Sequence, residues 1–182
     1  MRAPWRIHYA LRSCSARPQI AGGARPVEFR PVVLSGFSAG YGIIRKILQN
    51  RANRQHVDAV VLADGSHTSY VPEGKPGPLQ TENLEAFLDF ARQPVAGRKQ
   101  MLLTHLEIFP GTFASTTETT DFLIERLQLK RQAVLAWGPL GMQQLSRVRA
   151  GRFEVLDFAG NTAPDHIDHL HALEYWLKRI KL

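Results

Sequence analysis

The stretch PVVLSGFSAGYGIIRKILQN, residues 31–50, decides the fold of this chain. It opens with a continuous apolar run that ends in Gly36, as expected of a strand buried on both faces. After a few small residues, Ile43, Ile44, Ile47 and Leu48 recur at helical spacing, with polar residues between them. The stretch therefore predicts a strand, a sharp turn and an amphipathic helix in direct succession.

The turn itself reads GFSAG, from Gly36 to Gly40, and matches the pattern Gly-x-Ser-x-Gly. In this pattern the serine has a strained backbone conformation, and small neighbours prevent collisions with the strand and the helix. The backbone N–H of Ala39 would lie at the helix start, where the helix dipole helps it to stabilise an oxyanion. The pattern is short, and a small-residue turn in an ordinary α/β sheet is the alternative. Because a strand precedes it and a helix follows it, we expect Ser38 to be a nucleophile, with Ala39 as an oxyanion donor.

Downstream of this turn, short apolar runs alternate with amphipathic stretches, which predicts strands connected through helices. Ser115 and Glu118 fit a capping box that starts one of these helices. The expected fold is α/β, a three-layer α/β/α sandwich with a mainly parallel sheet. Residues 130–149 fit either a short strand or a buried turn. The other expected elements are strands at 57–65, 99–108 and 152–160 and helices at 82–92, 116–129 and 169–181.

A serine nucleophile needs an imidazole base, and three histidines follow the last predicted strand. His166 is expected in the loop before the final helix, free to reach the strand ends, and is the first choice for the base. His169 is the reserve, and His171 is expected inside the helix with a structural role. Together with Asp165 and Asp168, these imidazoles also fit a metal site, although that reading leaves the serine turn unexplained.

The acid that orients the imidazole has two candidates. Asp64 ends the second predicted strand directly before Gly65, which would aim its carboxylate at the sheet edge where Ser38 emerges. Glu107 follows the third predicted strand. Either carboxylate also fits a solvated loop. We expect Asp64 to be the acid and keep Glu107 as the alternative.

As a set, Ser38, an acid and His166 resemble the GxSxG esterase, lipase and peptidase-like members of the α/β-hydrolase superfamily, over residues 31–182. The resemblance implies hydrolysis of an ester, thioester or amide through an acyl-enzyme, without a cofactor. It also implies an acid that usually follows the seventh strand of the family and sometimes the sixth. Carried over, Glu107 takes the commoner position and Asp64 the rarer one.

The resemblance covers only the downstream half of the family's sheet. In the family a second oxyanion donor comes from a loop well upstream of the nucleophile, and only 31 residues precede the Ser38 strand here. Without earlier strands the Ser38 strand becomes an apolar edge, which invites pairing. We therefore expect a truncated chain, a substitute strand from residues 1–30, or a homo-oligomer or other pairing through this edge. A non-catalytic domain is the alternative function.

Composition sets the remaining expectations. The 182 residues carry a net charge of +7, and residues 1–30 hold six Arg and one Glu, which leaves only +2 for residues 31–182. We expect a basic leader at 1–30, one domain at 31–182 and no nucleic-acid partner. No apolar run approaches the length of a membrane span. Cys14 is the single cysteine, so no intrachain disulfide exists, and localisation stays open, with the cytoplasm as the default.

Overall fold

The computed structural model describes residues 30–182, and the leader predicted upstream lies outside the described residues apart from Arg30. Within this range six strands form one mixed sheet with the order β1-β2-β3-β6-β5-β4. The four strands at its β1 side, β1, β2, β3 and β6, are parallel, whereas β5 and β4 are antiparallel to their neighbours. The α/β class is therefore confirmed. The strands are β1 (Val33–Phe37), β2 (Ala59–Ala63), β3 (Gln100–Leu106), β4 (Gln132–Trp137), β5 (Gln143–Ala150) and β6 (Phe153–Phe158).

Six α-helices lie in the described residues, and two of them begin at capping boxes. The Ser115–Glu118 box predicted from the sequence is present, with each side chain bonded to the backbone of the other. Thr162 and Asp165 form a second box. The helices are α1 (Tyr41–Gln49), α2 (Arg51–His56), α3 (Glu85–Val95), α4 (Thr116–Arg126), α5 (Ala163–His171) and α6 (Leu173–Lys178).

The C-terminal segment differs from its prediction. A single helix was expected over 169–181, but helical structure starts at Ala163 and is interrupted at Ala172. The Thr162 cap and Pro164, which fits the first turn of a helix, together explain the earlier start. His166 consequently lies in the first turns of α5 and not in a preceding loop.

Residues 130–149, which the sequence left open, contain β4 and most of β5. These strands form an antiparallel pair whose register shifts between Ala133 and Ala136. β5 then pairs antiparallel with β6 through the tight turn at Gly151, whose φ is +56°. The two antiparallel pairs, β4–β5 and β5–β6, make the sheet mixed, whereas β6 pairs parallel with β3 on its other side.

Alternate residues of the parallel strands pack on opposite faces of the sheet. On one face Val60, Leu62 and Leu103 pack with buried side chains of α1, α3 and α4. On the other face Val61 and Leu102 pack in a smaller cluster that includes the fully buried Trp176 of α6. Each buried Val or Leu of these clusters contributes about 1.5–3 kcal/mol. Pro31–Leu182 forms one compact unit.

The carboxyl ends of β1, β2, β3 and β6 meet at one edge of the sheet, because these four strands are parallel. Among the described residues β1 pairs only with β2, so it is an edge strand there. None of the helices in residues 30–182 is long and apolar enough to cross a membrane. The segments that follow these carboxyl ends contain the residues considered next.

Candidate active site

Ser38 occupies a sharp turn between β1 and α1. Its φ is +50°, a left-handed value that is unfavourable for a residue with a side chain. A single 3-10 turn, Ser38–Gly40, connects β1 directly to the helix. The predicted succession of strand, turn and helix is therefore present, and Ser38 is half-buried at its tip.

Two glycines make room for this turn. A Cβ at Gly36 would lie 2.9 Å from Ile44 Cδ1 and 3.2 Å from the carbonyl carbon of Gly40. A Cβ at Gly65, in the segment after β2, would lie 2.6 Å from the carbonyl oxygen and 2.8 Å from the amide nitrogen of Ser38. By contrast, a Cβ at Gly40 would meet nothing within 4 Å, so the sequence argument for a small residue there was wrong. The turn is instead confined by Gly36 and Gly65.

Asp64 and His166, 102 positions apart, form a hydrogen-bonded pair beside this turn. The distance between Asp64 Oδ2 and His166 Nδ1 is 2.6 Å. Asp64 is buried, its φ is +40°, and its Oδ1 accepts a hydrogen bond of 2.6 Å from Thr116 Oγ1. Register places Ala63, the residue before Asp64, directly opposite Phe37, the residue before Ser38. Asp64 and Ser38 therefore begin adjacent segments at the same edge.

The electrostatics of the pair favour an ionised carboxylate. Burial, the strongest influence, raises the pKa of Asp64, but the hydrogen bonds from His166 and Thr116 and the nearby imidazoles together bring the pKa below its ordinary value. An ionised carboxylate only accepts hydrogen bonds, so Nδ1 of His166 carries the proton. The other ring nitrogen, Nε2, is then the atom of neutral His166 that can accept a proton.

His166 also contacts β1, the strand that leads to Ser38. Its ring packs on Phe37, with the centroids 4.5 Å apart and the planes tilted by 33°. Within residues 30–182 no hydrogen bond joins the Ser38 hydroxyl to His166. Catalytic hydrogen bonds are commonly long before substrate binds and tighten in the reacting complex. The fold thus brings His166, the predicted base, next to the serine turn without a hydrogen bond to Ser38.

The other predicted site residues lie elsewhere. Glu107 is exposed, and its backbone N–H donates to the carbonyl of Gly160. His169 is fully buried, with Nδ1 2.6 Å from Thr104 Oγ1. Burial lowers the pKa of His169 to about 4. His171, expected inside a helix, is exposed at the end of α5.

The alternative metal site has no counterpart in the described geometry. His166 faces Asp64, His169 faces Thr104 and His171 faces solvent, although they follow one another closely in sequence. Asp165, one of the two carboxylates considered for this site, forms the cap of α5 with Thr162. In the part of the chain that the structure describes, no three His, Cys, Asp or Glu side chains lie together in an arrangement suited to a metal ion.

Sequence reasoning missed three residues around the pair. Thr116 follows the Ser115 cap and donates to Asp64, but nothing in the pattern indicates that its side chain turns toward β2. Phe37 was only a variable position of the Gly-x-Ser-x-Gly pattern. His67 packs edge-on against both Tyr41 and Phe113, with centroid distances of 5.5 and 5.3 Å. Contacts between distant segments carry no periodic signal, so only the fold reveals them.

Comparison with known proteins identifies no relative. No family model, no curated protein and no solved structure matches this chain. The function is therefore inferred from the geometry of Ser38, Asp64 and His166. The electrostatics of the pair and the shape of the turn supply the argument.

Proposed function

We propose that this protein is a serine hydrolase with an α/β-hydrolase-like sandwich, in which Ser38 is the nucleophile. The observation that carries the proposal is the 2.6 Å hydrogen bond between Asp64 and His166. Two side chains 102 positions apart meet beside a serine whose φ is +50°. Strain of this kind persists where the surrounding structure imposes it, and it concentrates at functional sites.

The proposed reaction begins when Ser38 Oγ attacks the carbonyl carbon of an ester, thioester or amide. His166 Nε2 takes the hydroxyl proton, and the charge that develops on the imidazole is stabilised by the Asp64 carboxylate. His166 then gives the proton to the leaving group, and an acyl-enzyme remains on Ser38. Water, deprotonated by the same nitrogen, attacks the acyl carbon and releases the acid, which restores the Ser38 hydroxyl.

The tetrahedral intermediate places negative charge on the former carbonyl oxygen. The N–H of Ala39 is the proposed donor, since Ala39 lies in the turn that leads into α1 and the helix dipole favours negative charge there. One missing oxyanion donor typically lowers kcat by about 10²–10³-fold. A single donor from Ala39 is therefore expected to support slow turnover, and a second donor would raise it.

A non-catalytic domain is the second candidate. Two observations favour it: among the described residues β1 is an edge strand, and the Ser38 hydroxyl has no hydrogen bond to His166. In that case the strained turn and the Asp64–His166 pair would be structural. The two candidates differ in one measurable property, the reactivity of the Ser38 hydroxyl.

Labelling with a fluorophosphonate probe, followed by peptide mass spectrometry, tests the proposal. We expect phosphonylation at Ser38, no labelling of Ser38→Ala, and much slower labelling of His166→Gln. Ser35→Ala is the matched control, because Ser35 is an exposed serine on the same strand. A folded protein that stays unlabelled at Ser38, with the same nitrophenyl-ester turnover in wild type and Ser38→Ala, rules out the hydrolase and leaves the non-catalytic candidate.

A further inference from the structure

The fold separates the charges of residues 31–182. These residues hold 17 bases and 15 acids, close to balance. Nine of the bases but only two of the acids line two clefts at the amino ends of the parallel strands, the edge opposite Ser38. The rest of the unit is left with eight bases against 13 acids. The excess of positive charge at this edge creates an electrostatic potential that attracts anions to it.

The two clefts differ in how many of their cationic side chains are already paired with oxygens of the protein. In the cleft between α2 and α3, Arg54 and Arg92 both bond Asp89. Lys99, in the same cleft, donates to three backbone carbonyls. The other cleft, here called the C-terminal cleft, has a volume of about 420 Å³ and is lined by Arg149, Arg152, Lys178, Arg179 and Lys181 around one acid, Glu154.

Glu154 neutralises only part of this charge. Arg179 binds it through Nη2 at 2.8 Å to each carboxylate oxygen. Arg149 approaches it only to 3.9 Å and is mostly exposed, so that pair contributes little. Arg152 and Lys181 have no carboxylate partner within the described residues. The cleft therefore has cations that are not balanced by its own acid.

Gln100 fixes the geometry of the cleft. Its side-chain nitrogen donates to the carbonyl of Arg179, and its oxygen accepts from the amide of Lys181 at 2.8 Å. The same oxygen lies 3.4 Å from Arg152 Nη2. Gly151 has a φ of +56°, and a Cβ there would lie 2.5 Å from the carbonyl oxygen of Val95, so the turn that carries Arg152 is also confined. The neutral side chain of Gln100 thus connects the turn between β5 and β6 to the C-terminal segment.

We propose that the C-terminal cleft binds a small ligand that carries two or more phosphate groups. Guanidinium groups match phosphate oxygens with paired N–H donors, and lysine adds a mobile charge. The volume falls within the range of small-molecule sites, about 300–1,000 Å³. The single acid holds Arg179 in place and leaves Arg149, Arg152 and Lys181 available to the ligand.

Isothermal titration calorimetry with inorganic tripolyphosphate, at about 50 mM salt, tests the proposal. Arg152→Gln/Lys181→Gln removes one cleft charge at a half-buried position and one at an exposed position, so folding is expected to persist. We expect the affinity of this variant for tripolyphosphate to fall at least about tenfold, because two charge-assisted hydrogen-bond donors are lost. Arg126→Gln/Lys130→Gln removes the same charge on an exposed surface of α4 and its following turn, and is expected to bind as the wild type does.

Three outcomes overturn the proposal. One is a folded wild type that does not bind tripolyphosphate. A second is equal weakening in both double variants, which is the result for diffuse attraction by net charge. The third is tight binding of a single-stranded 20-nucleotide DNA that weakens as much in Arg51→Gln/Arg92→Gln, a variant of the other cleft, as in Arg152→Gln/Lys181→Gln. That result would describe a nucleic-acid surface extending over both clefts.

Discussion

Gly65→Ala, in the segment that follows β2, is expected to push away the Ser38 turn that follows the neighbouring strand β1. The added Cβ would lie 2.6 Å from the Ser38 carbonyl oxygen and 2.8 Å from its amide nitrogen. Ordinary contacts begin at about 3.4 Å, and approaches under 3.0 Å are essentially never seen. The two backbones must therefore separate by roughly 0.4–0.8 Å, a strain that costs about 1–3 kcal/mol of stability. Neither contact is with a flexible side chain, so rotation cannot relieve it.

The same displacement is expected to slow the reaction of Ser38. A shift of about 1 Å can lower a rate about 10²-fold, so we expect a 10- to 100-fold slower reaction with fluorophosphonate and a similar loss in kcat/KM. Gly42→Ala is the matched control: a Cβ there meets nothing within 4 Å in α1, and alanine should add about 0.5–1 kcal/mol to stability. The reasoning is refuted if Gly65→Ala reacts and melts as the wild type does.

Three further predictions concern the pair, a buried imidazole and a helix cap. Asp64→Asn keeps an oxygen for Thr116 but offers NH₂ to His166 Nδ1, which forces the imidazole proton onto Nε2. Steady-state kinetics should then give a kcat about 10³–10⁴-fold lower. An unchanged kcat would contradict the role of Asp64 as the acid that orients His166. Neutral His169, with its pKa lowered to about 4, stays unprotonated while the unfolded chain takes up a proton below about pH 6.5. The contribution of His169 to the free energy of unfolding is therefore fully present above about pH 6.5, and about 3 kcal/mol of it is lost as the pH falls to 4. In urea denaturation, His169→Asn should lose about 3 kcal/mol less than the wild type over this pH range. Equal losses in the two proteins would refute the prediction. Ser115→Ala removes the cap of α4 and should lower the free energy of unfolding, measured by urea denaturation, by about 1 kcal/mol. Ser35→Ala, the same substitution at an exposed position, should change it by less than about 0.5 kcal/mol.

Local patterns predicted most of the elements, because each depends on nearby residues. The buried runs of β2 and β3 and the Ser115–Glu118 capping box are examples. The hairpin of β4 and β5 was not predicted, because β4 is largely exposed and neither a clean alternation nor a buried run marks it. Its place in the sheet depends on pairing with β5, which a local window does not contain.

The candidate site was predicted only in part, because some of its features are local in sequence and others depend on contacts between distant segments. The Ser38 turn is encoded within a few residues, and its position at the sheet edge follows from parallel pairing. His166 was assigned to a loop, since the expected helix start at 169 overlooked the cap at Thr162. Charge was misleading in another way: a net charge of +2 for residues 31–182 gave no indication that nine bases gather around two clefts.

The strand order alone would favour a carboxylate that follows β3, yet the histidine meets the one that follows β2. α5 follows β6, and β3 lies between β6 and β2, so His166 must extend past the end of β3 to bond Asp64. Glu107, which follows β3, is tied through its N–H to Gly160, in the segment that leads into α5. The side chain of Glu107 is exposed to solvent, whereas Asp64 is buried and faces the imidazole. The ring of His166 also packs on Phe37 of β1, so the carboxylate that follows β2 holds this ring next to the strand that leads to Ser38.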